Sequence, residues 1–400
     1  MKMEYTVPNV APNVIAPAQR ISRVSEYYFS RKLKEIAALN AEGRNIINLG
    51  VGSPDLPPSQ EVLDVFCRET VKPDAHGYQP YAGVPPLRAA FAGWYKRWFS
   101  VELDANREIQ PLIGSKEGII HISLAFLNPG DKVLIPNPGY PTYRSASELA
   151  GAEIVEYSLC EANGWLPDFD ALEKEDLANV KLMWVNYPHM PTGTPASLDL
   201  FQQLIAFGKK HNIVICNDNP YSFILNDNPL SLLSVEGAKE VAIELNSMSK
   251  SHNMPGWRMA MVASNPTFIE WILRVKSNVD SGQFKPMQLA AAQALESGKE
   301  WYNSINATYR KRRVLAQEIM DVTGCVCNPD QTGLFLWGRI PGSCENGEAL
   351  ADDLLYNANV FITPGSVFGS QGDRYVRISL CCNETMLNEA IKRIKDNIKQ

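Results

Sequence analysis

The sequence predicts an α/β protein: a large domain with a mostly parallel, doubly wound sheet covered by helices, plus a smaller α+β domain. Three observations predict it. Short apolar runs rich in β-branched residues alternate with helix-period segments through the middle of the chain, the pattern of strands buried on both faces. A helical stretch from Pro286 to about Val322 separates that region from a C-terminal part with a different order of elements. The chain has 400 residues, more than one hydrophobic core usually fills.

Residues 20–43 read as a helix with apolar positions at Ile21, Val24, Tyr28, Leu33, Ile36 and Leu39, stopped by Gly43. A short strand from Ile46 to Leu49 then runs into the turn Gly50-Val51-Gly52-Ser53-Pro54-Asp55. Strands are expected at 132–135, 181–185, 213–216, 241–245 and 259–263, with helices at 115–127, 199–211 and 266–276. Beyond the long helix, strands at 334–338 and 375–380 flank a helix at 347–356, and an amphipathic helix at 384–398 closes the chain. The expected division is an N-terminal arm and part of the small domain at 1–45, a large domain at 46–290 and a small domain at 291–400.

Composition narrows the function. Apolar residues make up 45% and charged residues 20%, as in ordinary globular proteins. The formal net charge of -6 argues against a nucleic-acid-binding surface, and no basic cluster suits anionic lipid. No apolar stretch is long enough to span a bilayer, and Met1 to Pro8 lacks the apolar core of a signal peptide. A cytoplasmic location without membrane or nucleic-acid partners is expected. The eight cysteines never form a CxxC pair and the five histidines offer no metal spacing, so neither a disulfide framework nor a metal is expected.

The chemistry centres on Ser247-Met248-Ser249-Lys250, which follows the apolar run Val241 to Leu245 and precedes Gly256-Trp257-Arg258. Most lysines are solvated surface groups. A lysine at a strand end, among hydroxyls and near an arginine, is a candidate nucleophile, because desolvation or neighbouring positive charge lowers the amine pKa. Gly114-Ser115-Lys116-Glu117-Gly118 opens a helix after the run Ile109 to Ile113. Free N–H groups there make an anion site, although such a segment alone is often only a cap. Asp218 ends the run Ile213 to Asn217 and precedes Pro220 and Tyr221; an isolated aspartate there would be a turn residue.

Taken in order, these segments resemble the class I/II aminotransferases, aspartate aminotransferase-like fold-type-I enzymes that use pyridoxal 5'-phosphate. The resemblance adds Tyr78 to Arg88, Tyr140-Pro141, Pro191-Thr192-Gly193, Pro364-Gly365-Ser366 with Phe368-Gly369, and Tyr375 to Ser379, and so covers about residues 20 to 395. It implies a catalytic Lys250 carrying the cofactor as a Schiff base, with Ser115, Lys116, Ser247, Ser249 and Arg258 binding the cofactor. Tyr140 would stack on the ring and Asp218 would face the pyridine nitrogen. Tyr221 would address the phenolic oxygen, with Asn186 or His189 as the substitute for the family's amide at that oxygen and Asn186 as a further cofactor contact. Gly52 and Arg377 would bind the substrate, with the guanidinium fork of Arg377 on its α-carboxylate. Tyr78 would reach the cofactor of the neighbouring subunit, which implies a homodimer with shared sites.

One position departs from the pattern. Met190 stands where the family carries an asparagine that donates to the phenolic oxygen, and a thioether cannot donate. The expected activity is transfer of an amino group from an amino acid to a 2-oxo acid. A C–S β-lyase or another carbanion-forming enzyme of the same fold is the alternative. By the resemblance Lys116 suits a dicarboxylic substrate, the expectation at this point, while Tyr27, Tyr28 and Trp257 would suit an apolar or aromatic one. A nicotinamide dehydrogenase is disfavoured because Gly50-Val51-Gly52 lacks the third glycine of that fingerprint. No basic DNA-reading module supports a regulatory protein.

Overall fold

The computed structural model describes residues 16 to 398, so the expected N-terminal arm lies outside the described residues up to residue 15. Strand β1 (Ile47–Asn48) comes first, followed by β2 (Ile109–Leu112), β3 (Lys132–Asn137), β4 (Glu153–Ser158), β5 (Val180–Val185), β6 (Val214–Asp218), β7 (Ala242–Ser247) and β8 (Ala260–Ala263). The last seven form one sheet in the order β2-β8-β7-β6-β5-β3-β4. Only β8 runs antiparallel to its neighbours. Both faces are covered: Met183 and Val185 point into one apolar cluster while Leu182 and Trp184 point into another. That double burial explains the continuous apolar runs. Strand β4 was not anticipated, because it lies at the sheet edge and mixes Glu153 and Glu156 with apolar residues.

Local chemistry sets the helix boundaries. The Asn265 side chain accepts from Phe268 N at 2.9 Å with Pro266 in the first turn, and Ser197 accepts from Leu200 N at 3.1 Å. The expected helix at 20–43 is shorter than predicted. A 3-10 turn at Gln19–Arg23 and an extended stretch precede an α-helix at Tyr28–Ala41, with Gly43 beyond it at φ +90°. Here Tyr27 leaves the helix to face a cavity, so its apolar surface belongs to a site rather than to a helix stripe. The predicted single helix from 286 to 322 is two, Lys285–Leu295 and Lys299–Val322, broken at Gly298.

The C-terminal part contains β9 (Val326–Cys327), β10 (Phe335–Arg339), β11 (Val360–Phe361), β12 (Thr363–Pro364) and β13 (Tyr375–Ser379). Four of these form an antiparallel sheet in the order β12-β13-β10-β9, and β11 pairs in parallel with β1. Ile36 and Ile46 pack on Leu355 and Phe361, joining the N-terminal helix to this part. Among the described residues no helix is long and apolar enough to cross a membrane.

The turn after β1 is tied to the long helix by Arg312, which is 2% exposed and bonds both oxygens of Asp55, at 2.7 and 2.9 Å. Only the arginine end is buried, and removing Asp55 takes away its charged acceptor. Asp55→Ala is expected to destabilise the protein by about 1.5 kcal/mol, read as a lower denaturant midpoint.

Candidate active site

A cavity of about 280 Å³ opens at the carboxyl ends of β5, β6 and β7. The antiparallel β8 starts at that same edge, which is how Arg258, two residues before it, reaches the cavity. Gly52, Ser115, Lys116, Tyr140, Asn186, Asp218, Tyr221, Ser247, Ser249, Lys250, Arg258 and Arg377 all line it. Tyr78 does not; it is 94% exposed on the surface.

Lys250 sits in a short helical turn, Met248–Ser251, directly after β7. Ser247 starts that turn: its hydroxyl accepts from Ser249 N at 3.2 Å and donates to Ser249 Oγ at 2.9 Å. The Lys250 ammonium donates to the carbonyl of Gly52. Burial lowers its pKa, and the positive Arg377 and Arg258 push it the same way against the opposing pull of Cys381 and Asp218. An amine depressed in this way spends more time neutral, the form that can attack a carbonyl or take a proton.

Asp218, the last residue of β6, is held from both sides. Tyr143 Oη donates to its Oδ2 at 3.1 Å, and the Asn186 amide donates to its backbone carbonyl. Its Oδ1 is buried with no partner among the described residues. Burial raises the carboxyl pKa to about 7, against the Tyr143 hydrogen bond and the Lys250 charge. The other end of Asn186 accepts from Met190 N at 2.8 Å, so its amide is engaged by backbone at both ends.

The anion cup joins distant segments. Gly114 adopts φ +82° before the helix Ser115–Phe126, and a Cβ there would collide with the Arg258 guanidinium. Ser115 Oγ, at the helix start, is buried and unpartnered among the described residues. Arg258 Nη1 donates to Pro255 O at 2.9 Å. Lys116 lies at the rim with its ammonium 4.1 Å from the centre of the Tyr27 ring.

Across the cavity, Arg377 is buried among aromatic faces, its guanidinium carbon 3.9 Å from the Phe335 centroid, 4.6 Å from Phe368 and 5.7 Å from Phe29. Nη2 donates to Gly50 O at 2.7 Å and Nη1 lies 3.2 Å from Met190 Sδ. Nε is buried without a partner among the described residues. Burial lowers the pKa of Arg377 to about 10. A desolvated fork with a free N–H is built for a carboxylate.

Sequence reasoning missed Tyr143 and Phe335. Tyr143 lies one helical turn beyond Tyr140, a spacing that could have marked it. Phe335 joins Arg377 only through the antiparallel register of β10 on β13, where Trp337 faces Arg377. No local pattern carries that pairing.

The sequence profile of aminotransferase class I and II matches residues 44–394. The chain belongs to this family. It is 39% identical over 379 residues to an LL-diaminopimelate aminotransferase of Dehalococcoides mccartyi, covering 94% of this chain and 97% of that protein. In fold it is similar to substrate-bound BacF of Bacillus subtilis, with a TM-score of 0.91 and 36% identity over 96% of this chain and 98% of that one. It is also similar to an aromatic aminotransferase of Pyrococcus horikoshii, with a TM-score of 0.86 and 28% identity over 95% and 98% of the two chains. The protein is therefore an aminotransferase dependent on pyridoxal phosphate, and the β-lyase alternative finds no support in these relatives. The aminotransferase's own groups fit that cofactor: an unpaired carboxylate oxygen, an unpaired hydroxyl at a helix start, and a glycine whose missing Cβ leaves room for an arginine.

The raised Asp218 pKa carries a stability consequence in the aminotransferase stripped of cofactor. Between the unfolded value near 4 and the folded value of about 7, the folded chain binds the extra proton, so this group costs stability as pH rises through that window. Cofactor-free Asp218→Asn is expected to melt about 2 °C above cofactor-free wild type at pH 8, with the gap closing towards pH 4. Paired thermal scans at the two pH values check it.

Proposed function

We propose that the aminotransferase takes an α-amino acid with an apolar or aromatic side chain, and that the residues around the cavity divide the work as follows. Pyridoxal phosphate, when bound, supplies the carbonyl that exchanges amines and the ring that accepts an electron pair. Ser115, Ser247, Ser249 and Arg258, with Lys116 beside them, hold its phosphate by charge and directed donors, and Tyr140 covers its ring face. Asp218 Oδ1 holds the proton on the ring nitrogen, a role suited to a buried carboxylate with an unused oxygen. Tyr221 and Asn186 border the phenolic oxygen. Arg377 binds the substrate carboxylate through its free Nε–H and its fork. Lys250 Nζ, steered by the Gly52 carbonyl, takes the proton from the substrate α-carbon as base and, as acid, returns it to the carbon on the far side of the nitrogen.

The side-chain preference rests on one observation: apart from the polar groups that would hold the cofactor and the carboxylate, Tyr27, Phe29, Val51, Phe335 and Phe368 line the cavity. An aromatic side chain gains burial there. A distal charge must instead be desolvated and paired. A second reading, a dicarboxylic substrate, is supported by Lys116 at the rim and by the LL-diaminopimelate relatives. Single-turnover reactions of the cofactor-loaded enzyme separate the two. Phenylalanine or tyrosine is expected to react at least about tenfold more efficiently than glutamate or LL-diaminopimelate, and Lys250→Ala with none of them. The reverse order would favour the dicarboxylic reading.

We further propose a homodimer in which Tyr78 serves the partner's cofactor. Tyr78 and Tyr81 are exposed, as is Val279 near the Gly282 turn that approaches Gln79 and Pro80, and these exposed apolar side chains support burial against a second copy. Sedimentation is expected to give a dimer, and Tyr78→Phe a lowered cofactor affinity; a fully active monomer would sink this part. On the same reading residues 46–290 form the cofactor-binding domain, residues 291–400 the small domain together with part of 1–45, and the enzyme works in the cytoplasm on an amino acid and a 2-oxo acid.

A further inference from the structure

Behind the anion cup the structure buries a second lysine. Lys276 ends the helix Pro266–Lys276 and is 1% exposed. Its ammonium lies 3.2 Å from Glu117 Oε1 and pairs with Asp280. His121 Nε2 meets the same Glu117 oxygen at 2.6 Å. Burial alone would raise the Glu117 pKa, yet the His121 hydrogen bond and the Lys276 charge hold it down to about 2. Glu117, His121 and Asp280 bring their ligand atoms close enough for a metal ion. The Lys276 ammonium, bonded to both carboxylates, already stands among them as the cation.

What the two carboxylates do with their other oxygens gives the cluster a purpose. Glu117 Oε2 accepts from Ile113 N at 2.9 Å and so pins the turn that presents Gly114 and Ser115. Asp280 Oδ1 accepts from Gly282 N at 3.1 Å, and the adjacent Gln283 donates through Nε2 to the backbone carbonyl of Arg258 at 2.7 Å. One arm from Lys276 therefore leads to the helix start and the other to the arginine. These are the two halves of the anion cup, and they lie just beyond Leu112 and Ala260, the last pair of the β2–β8 ladder.

We propose that Lys276 is a positioning residue for the cofactor phosphate: where the β2–β8 ladder ends, it fixes the Ser115 turn against Arg258 through Glu117 and Asp280. The inference rests on the reading of that cup as the phosphate site. Neutralising Lys276 leaves two half-buried carboxylates facing each other, and their repulsion spreads the cup. The ring and amine contacts at Asp218 and Lys250 hang on β6 and β7 and stay in place.

The test compares two probes on the full chain, titrated after removal of cofactor: pyridoxal phosphate, and pyridoxal, which lacks the phosphate. Lys276→Met is expected to weaken pyridoxal phosphate by about 10- to 100-fold while leaving pyridoxal within about twofold of wild type. Equal weakening of both probes would mean that Lys276 only supports the fold, and unchanged affinity for both would mean that it does nothing for the cup; either overturns the inference. Asp280→Asn, which keeps the Gly282 acceptor and removes one charge, is read by the same criteria if Lys276→Met does not fold. Wild type that binds pyridoxal phosphate no better than pyridoxal, or that gives no borohydride-stable adduct at Lys250, would overturn the phosphate assignment itself and the inference with it.

Discussion

The active site depends on one turn, Gly50 to Asp55, and on three cations that grip it. Arg377 donates to the Gly50 carbonyl, Lys250 to the Gly52 carbonyl, and Arg312 to the Asp55 carboxylate. Each cation comes from a different element: β13, the turn after β7, and the long helix Lys299–Val322. The large sheet and the C-terminal sheet are thus held in register by charge-assisted hydrogen bonds to a single loop. Gly52 has no room for a side chain, since a Cβ would overlap the Phe335 ring. The loop can therefore lie flat against the cavity wall.

That arrangement places several positive charges around one small cavity, and burial decides what each can do. Lys250 and Arg377 lose water and have their pKa values lowered; Asp218 loses water and has its pKa raised. Desolvation costs are met where a group will be used, because an unpartnered Asp218 Oδ1, Ser115 Oγ or Arg377 Nε is expensive unless a ligand completes it. A second buried carboxylate, Glu244, shows the contrasting case. It accepts from Tyr95, Ser231, Asn217 and Leu232 N, leaving no oxygen free for a ligand. The same residue chemistry serves structure when satisfied and binding when left open.

Much of the site was legible before folding because it is built from strand ends. A polar residue closing an apolar run, as Asp218 closes β6 and Ser247 closes β7, is visible in the order of residues alone. Gly114 and Arg258 were legible as separate signals, but not their contact. The segments that failed to read correctly are the N-terminal helix, which begins at Tyr28 rather than at residue 20, and the edge strand that carries charge, Glu153 to Ser158.

The sequence by itself determined the alternation of strands and helices, the lysine at a strand end, the helix-start anion site and the family, because these are local patterns of period and spacing. Tertiary structure alone decided which face of Arg377 is aromatic, which carbonyl orients Lys250, and that Lys276 bridges Glu117 and Asp280 behind the anion cup. Those contacts join residues far apart in the chain. They arise only when strand register and helix packing set distances to within an ångström, and no local pattern encodes them.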